Sequence, residues 1–157
     1  MNIKFKICLV FFLALTVSCG FKVVDQSQRG NFYAKEILTT GDKRVNFQIK
    51  SNLAVLKNKN KKNIILLEIN TKKNKSIKEK NIKNEITKYE ISLDTNIKFE
   101  KINSKRKYEK TVTVLGDYLI SKNTSTTLSN ERKLIENLAD QISDQIMETI
   151  SLKLNDN

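Results

Sequence analysis

The side chains that most often carry chemistry in proteins are scarce in this sequence. Its 157 residues include no histidine and only two cysteines, Cys8 and Cys19. Without histidine, the chain lacks the most common general base and the most common metal ligand. Because both cysteines lie within the first twenty residues, the rest of the chain cannot form a disulfide framework or a cysteine-based zinc site. The residue whose chemistry remains to be considered is Cys19.

The residues before Cys19 have the pattern of an export signal. Met1–Lys6 carries two lysines and no acidic residue, and Ile7–Val17 is apolar except at Thr16. This apolar run is shorter than the roughly 20 residues that a membrane-spanning helix needs, and its length is typical of the hydrophobic region of a signal peptide. The sequence therefore predicts a signal peptide of lipoprotein type over residues 1–18.

The four residues Thr16-Val17-Ser18-Cys19 resemble a lipobox, the processing signal of bacterial lipoproteins. In such a signal the cysteine thiol takes a thioether-linked diacylglycerol, and the new amino terminus takes a further acyl chain. Two or more acyl chains make a stable membrane anchor, whereas one chain holds a protein only marginally. We therefore predict that Cys19 is the lipid attachment residue, that residues 19–31 form a lipidated tether and that no other cofactor is present. The alternative is an ordinary secretory signal in which Cys19 is incidental.

No catalytic motif frames the remaining polar residues. A hydrolase without histidine would need a Ser–Lys pair or two cooperating carboxylates, and the sequence has no glycine-rich elbow or phosphate-binding loop around such residues. Glu90 and Asp94 fall on the polar side of a predicted strand, where solvated carboxylates are expected. We therefore expect a protein that is not an enzyme, with neither catalytic residues nor a metal site.

Lysine dominates the charge of the chain, which has a formal net charge of +12. Such a charge suggests an anionic partner, although the general enrichment in lysine and asparagine gives a compositional explanation. Nucleic acid is excluded as a partner because the chain is predicted to be exported and its basic stretch lacks interleaved aromatic residues for base stacking. Lysines in the segment Thr71–Asn84 are candidates for contacts with phosphates or sugar acids, as point charges on flexible stems. These candidates are Lys72, Lys73, Lys75, Lys78, Lys80 and Lys83. Solvated loop lysines without a function are the alternative.

Hydrophobic periodicity predicts six secondary-structure elements after residue 31. In Lys88–Glu100 the apolar residues occupy the odd positions, the period of a strand with one buried face. In Asn130–Leu154 apolar residues recur every four positions, which predicts a long amphipathic helix. The other predicted elements are strands over Phe32–Thr39, Asn63–Asn70 and Tyr108–Ile120 and a helix over Lys43–Lys57, with Asp42 as a possible cap.

The segments between these elements complete the predicted fold. Thr71–Asn84 is polar and is predicted to be a loop or a loosely extended hairpin tip, Gly116 is predicted to mark a bulge, and Ser121–Ser129 to supply a helix N-cap. The order of elements predicts a single α+β domain over residues 32–157. In this domain a four-stranded, mostly antiparallel sheet has two helices packed on one face, which would bury every apolar stripe.

The whole pattern resembles LptE, the lipopolysaccharide-assembly lipoprotein of the Gram-negative outer membrane. The resemblance begins at Cys19-Gly20-Phe21 and follows the strand–helix–strand order. It includes the long hairpin built from Lys88–Glu100 and Tyr108–Ile120, and it ends on the helix around Leu138-Ala139-Asp140-Gln141-Ile142. It covers most of the chain after residue 18 and is a resemblance of order and pattern.

The resemblance implies a partner, a ligand and a location. LptE proteins scaffold or plug the large β-barrel LptD, contact lipopolysaccharide, and are anchored by lipid to the periplasmic side of the outer membrane. A compact domain with polar surfaces would suit a barrel, and basic residues would suit an anionic glycolipid. The alternative is another accessory lipoprotein of the envelope, of barrel-assembly or secretin-pilot type, with no lipopolysaccharide role.

Overall fold

The computed structural model describes residues 32–57 and 63–155. The elements in this part of the chain follow the predicted order of strand, helix, strand, strand, strand, helix. They are β1 (Phe32–Gly41), α1 (Lys43–Asn52) with a 3₁₀ turn (Leu53–Lys57), β2 (Asn63–Lys80), β3 (Ile86–Lys101), β4 (Arg106–Leu119) and α2 (Thr124–Asn155).

The four strands form one sheet in the order β1-β2-β3-β4. The pair β1–β2 is parallel, whereas β2–β3 and β3–β4 are antiparallel. Parallel neighbours need a crossover connection, and α1 lies in the segment that joins β1 to β2. The fold is therefore α+β with a mixed sheet, which confirms the predicted fold class.

A single hydrophobic core lies between the sheet and the two helices. Ile91, Leu93 and Ile97 of β3 are fully buried, as their odd positions predicted. Helix α1 packs over β1 and β2, and α2 packs over β4 and β3. The buried residues of α2 recur at the predicted spacing and include Leu138, Ile142, Ile146 and Ile150. The other face of the sheet, called here the open face, carries no helix of the described chain.

Strand β2 continues far beyond the predicted end at Asn70. Of the two alternatives predicted for Thr71–Asn84, the loop is wrong for residues 71–80, whereas the extended hairpin tip is close to the observed antiparallel pairing of β2 with β3. The strand reaches Lys80, and a turn at residues 81–85 connects it to β3. This polar segment forms a strand because it pairs with β3, and polar side chains on neighbouring strands interact directly. Asn74, for example, donates a hydrogen bond to Asp94 across the pair.

The start of α1 depends on Gly41 and Asp42. Gly41 has φ 94°, and a Cβ atom there would overlap the carbonyl oxygen of Thr71 in β2. Only glycine accommodates both this backbone conformation and this close approach. Asp42 then caps the helix, since its carboxylate accepts hydrogen bonds from the backbone N–H groups of Arg44 (3.1 Å) and Val45 (3.0 Å), as expected for an N-cap.

Two further predictions need correction. The β3–β4 register runs without a shift through the pair Ile91↔Gly116, so Gly116 is not a bulge. A Cβ atom at Gly116 would lie 2.7 Å from Leu134 Cδ1, and the glycine therefore lets α2 approach β4 closely. Helix α2 begins at Thr124, before the predicted start at Asn130, because Asn123 caps it by accepting a hydrogen bond from the backbone N–H of Ser125.

Candidate functional site

The predicted lipid attachment residue, Cys19, lies outside the described residues, as do the predicted signal peptide (1–18) and tether (19–31). The described chain starts at Phe32, which is buried at the beginning of β1. The lipidation of Cys19 therefore remains a prediction from the sequence.

The six candidate lysines do not form one cluster. Five of them lie on β2, where successive side chains point to opposite faces of the sheet, and Lys83 lies in the turn that follows. Lys73 and Lys75 face the helices, where their partners are, whereas Lys78 contacts residues of the open face.

Lys75 belongs to a compact polar cluster that joins three strands to α2. Its Nζ lies 2.8 Å from Glu131 Oε2, 4.4 Å from the ring centroid of Tyr89 and 5.2 Å from that of Tyr118. The hydroxyl of Tyr118 donates a 2.8 Å hydrogen bond to the same carboxylate oxygen. We call these four residues, Lys75, Tyr89, Tyr118 and Glu131, the Lys75 cluster.

The cluster holds its charged groups in their ionised forms. Partial burial alone would raise the pKa of Glu131, but the hydrogen bonds from Lys75 and Tyr118 outweigh burial and lower that pKa below its ordinary value. Burial likewise opposes the charge of Lys75, yet the hydrogen bond to Glu131 raises the pKa of Lys75 overall. Neither shift brings the pKa of its group toward neutral pH, where general acid–base catalysis is most effective.

Two other candidate lysines are also engaged in ion pairs. Lys73 Nζ lies 3.4 Å from Asp42 Oδ2, next to the start of α1. Lys78 Nζ lies 2.9 Å from Asp117 Oδ1 and 3.4 Å from Glu90 Oε2. The hydrogen bond with Asp117 is the main reason that the pKa of Lys78 is raised.

The remaining three candidate lysines are more accessible to an anionic ligand. Lys80 donates a 3.0 Å hydrogen bond to the neutral side chain of Asn84. Lys72 and Lys83 are exposed, and neither forms an ion pair with any residue of the described segments. An anionic ligand would therefore meet Lys72, Lys80 and Lys83 without first displacing a carboxylate.

The open face contains a shallow groove of about 420 Å³. It is lined chiefly by Leu66, Glu68, Lys98, Glu100, Lys107 and Glu109 from three adjacent strands. Within it, Lys98 pairs with Glu109 at 3.3 Å and Lys107 pairs with Glu100 at 3.7 Å. Because carboxylates and ammonium groups alternate, the groove has no excess of positive charge that would select an anion.

The described residues include no metal-binding cluster and no helix of membrane-spanning character. Among residues 32–57 and 63–155, no group of three or more histidine, cysteine or acidic residues is arranged to hold a metal ion. In the same segments, no helix combines the length and the apolar character needed to cross a membrane.

The fold is shared with solved structures of bacterial lipoproteins. The crystal structure of a putative lipoprotein from Caulobacter crescentus matches 83% of this chain and 94% of its own chain, with a TM-score of 0.53 and 9% sequence identity. No protein-family model matches the sequence, and the search of curated proteins finds no match. The likeness is therefore one of fold.

More particularly, the fold is that of rare lipoprotein B, which is LptE. The crystal structure of rare lipoprotein B from Shewanella oneidensis matches 76% of this chain and 97% of its own, with a TM-score of 0.58 and 14% identity. The solution structure of an uncharacterized lipoprotein B from Nitrosomonas europaea matches 87% and 94%, with a TM-score of 0.59 and 11% identity. These matches confirm the resemblance to LptE that the sequence pattern indicated.

Proposed function

We propose that this protein is an outer-membrane lipoprotein of LptE type, which scaffolds or plugs an LptD-type β-barrel and assists lipopolysaccharide transport and assembly. One combination of observations carries this proposal: residues 16–19 resemble a lipobox, and they precede a domain with the fold of rare lipoprotein B. In the proposed protein, residues 1–18 are removed, Cys19 carries the acyl chains, residues 19–31 form the tether, and 32–157 form the domain on the periplasmic side.

The arrangement of the sheet supports a function by contact rather than by catalysis. One face is packed by both helices, and the open face carries paired charges such as Lys98–Glu109 together with exposed leucines such as Leu115. A domain with a face of paired charges suits contact with the lumen of an outer-membrane barrel, which is polar in such proteins.

For lipopolysaccharide, the proposed contacts are the six lysines of β2 and its turn. The ion pairs of Lys73, Lys75 and Lys78 make these three the weaker candidates, because a phosphate would have to compete with a carboxylate already in place. Lys72, Lys80 and Lys83 are the stronger candidates within this set.

The anchor is tested by metabolic labelling with radioactive palmitate. Wild type is expected to incorporate label, and Cys19→Ser is expected to lose it. Cys8→Ser is the matched control: it removes the other cysteine, which lies within the predicted signal peptide, and should leave labelling intact. Undiminished labelling of the Cys19→Ser variant would contradict the proposed anchor.

The partner is tested by affinity purification of the tagged protein from detergent-solubilised membranes, followed by mass spectrometry. The proposal predicts a large β-barrel of LptD type in a stoichiometric amount. Recovery of the acylated protein without such a barrel would contradict the LptE-type function and would favour another accessory lipoprotein of the envelope.

A further inference from the structure

Helix α1 has an outward surface on which every charged residue is basic. Lys43–Asn52 contains no acidic residue, and its basic residues are Lys43, Arg44 and Lys50. Between them lies Phe47, whose side chain is 75% exposed. We call these four residues the α1 outer face.

The helical geometry places the three cations around the phenyl ring. Val45 and Ile49 are buried against the sheet, so residues on the opposite side of α1 point away from the core. Lys43 and Arg44 precede Phe47 by four and three residues, and Lys50 follows it by three, the spacings that bring side chains together on a helix surface. Within the described segments, none of the three forms an ion pair.

Other exposed apolar residues have different surroundings. Leu115 and Leu119 of β4 flank the carboxylate of Asp117, and Ile82 lies in a turn that also contains Glu85. On the other helix, α2, the exposed apolar residues have acidic neighbours at helical spacing: Glu131 follows Leu128 by three residues, and Glu148 precedes Leu152 by four. Around Phe47 the charges at these spacings are all positive. An exposed aromatic ring among cations is the composition that binds an anionic membrane surface, since the ring enters the interface while the cations reach the phosphates.

The acidic residues of α2 restrict the orientation that such binding would take. Glu136, Asp140, Asp144 and Glu148 are all exposed on α2, which packs beside α1. An anionic surface would repel this side of the helix layer. The domain would therefore turn the edge formed by α1 and β1 toward the lipid and hold α2 and β4 farther away.

The predicted tether is long enough to allow the same orientation. It joins the domain at Phe32, the start of the edge strand β1, and the 3₁₀ turn Leu53–Lys57 that continues α1 packs against β1. The tether residues 19–31, fully extended, span at most about 45 Å. An acylated Cys19 would therefore keep the α1–β1 edge within reach of the bilayer surface.

We propose that the α1 outer face binds a bilayer surface that bears anionic phospholipid headgroups, with Phe47 in the interface and Lys43, Arg44 and Lys50 at the phosphates. The docked orientation, though not the surface itself, rests on the proposed anchor at Cys19. The occupant is lipid rather than protein because the face combines an exposed aromatic ring with cations that form no ion pair within the described segments, and a tether of residues 19–31 is long enough to bring this face to the bilayer.

A tryptophan reporter tests the contact directly, because the chain contains no tryptophan. The acylated protein carrying Phe47→Trp is reconstituted into vesicles of phosphatidylcholine, with or without phosphatidylglycerol, in which some acyl chains are brominated. Leu115→Trp is the matched control, since Leu115 is 60% exposed on the open face of β4. The expected result is blue-shifted, quenched emission from the residue-47 reporter in anionic vesicles, and unquenched emission from the residue-115 reporter.

The charge contribution is tested without the anchor. The chain from residue 19 with Cys19→Ser keeps every described element and is sedimented with the same anionic vesicles. Each basic residue near an anionic surface strengthens binding roughly fivefold, so the triple variant Lys43→Gln/Arg44→Gln/Lys50→Gln should bind about 100-fold more weakly. Lys105→Gln/Lys122→Gln/Lys133→Gln removes the same charge elsewhere and should bind much more tightly than the α1 variant. Thermal unfolding checks that both variants fold.

Three outcomes would overturn the proposal: equal sedimentation of the two triple variants, an unquenched residue-47 reporter in a palmitate-labelled protein, or burial of that reporter only after a protein partner is added. Failure of the anchor is distinguishable, because it abolishes palmitate labelling and leaves the sedimentation experiment with the unacylated chain unaffected.

Discussion

Replacing Lys75 by methionine tests whether this lysine stabilises the folded protein. The substitution keeps the length and most of the apolar stem of the side chain and removes its charge. It breaks the 2.8 Å ion pair with Glu131 and the contacts with the rings of Tyr89 and Tyr118. If Lys75 is a structural residue, the variant should be less stable.

The expected loss of stability follows from the geometry of these contacts and the exposure of Lys75. Because the side chain of Lys75 is 38% exposed, its ion pair is screened by water and contributes about 1 kcal/mol. A cation over an aromatic ring at a partly exposed site contributes a further ~0.5–1 kcal/mol. We therefore expect Lys75→Met to lower the free energy of unfolding by about 2 kcal/mol. In urea, this corresponds to a midpoint lower by roughly 1 M.

The assay is urea denaturation of the unacylated chain from residue 19, followed by circular dichroism. Lys72→Met is the matched control, since Lys72 also lies on β2 but has no ion pair in the described chain, and it should change the free energy by less than about 0.5 kcal/mol. A double-mutant cycle with Glu131→Gln should give a coupling of about 1 kcal/mol. A Lys75→Met variant as stable as the Lys72→Met control would refute the structural role of the cluster.

Three further predictions concern pH and packing. The pKa values of Glu131 and Asp42 are lowered in the folded protein, so their stabilisation is fully present above about pH 4.5 and is lost as the pH falls through the lowered values. The urea midpoint should therefore fall as the pH drops below about 4.5, and Glu131→Gln should reduce that fall. Gly41→Ala should lower the free energy of unfolding by about 3 kcal/mol, because φ is positive and the new Cβ atom would meet the Thr71 carbonyl. Gly116→Ala should lower it by less than about 1 kcal/mol, because the new Cβ atom meets side-chain atoms of Leu134 and Leu138 and no backbone. Equal effects of the two glycine substitutions would contradict this assignment. Ile142→Ala leaves a cavity in the core and should cost about 2–5 kcal/mol, and a loss below 1 kcal/mol would show that its surroundings are not tightly packed.

The order and faces of the elements could be predicted from the sequence because they depend on local periodicity. In β3, alternation alone identified the buried face at Ile91, Leu93 and Ile97. The residues around Cys19 that resemble a lipobox also form a local pattern, but they lie outside the described residues, so lipidation at Cys19 stays a prediction.

What could not be predicted depends on tertiary pairing. The outer half of β2 is as polar as a loop, and only its register against β3 makes it a strand. Lys75 and Glu131 are separated by 56 positions, so the Lys75 cluster has no signature in the sequence. Gly116 suggested a bulge because a glycine in a strand often marks one, whereas the approach of α2 to β4 explains it here.

The most direct test of the central claim is the delivery of lipopolysaccharide to the cell surface after depletion of this protein in the cells that make it. The account predicts that newly made lipopolysaccharide fails to reach the outer leaflet and that an LptD-type barrel is poorly assembled, with both defects reversed by wild type but not by Cys19→Ser. Normal surface lipopolysaccharide and a normal barrel after full depletion would contradict the LptE-type function.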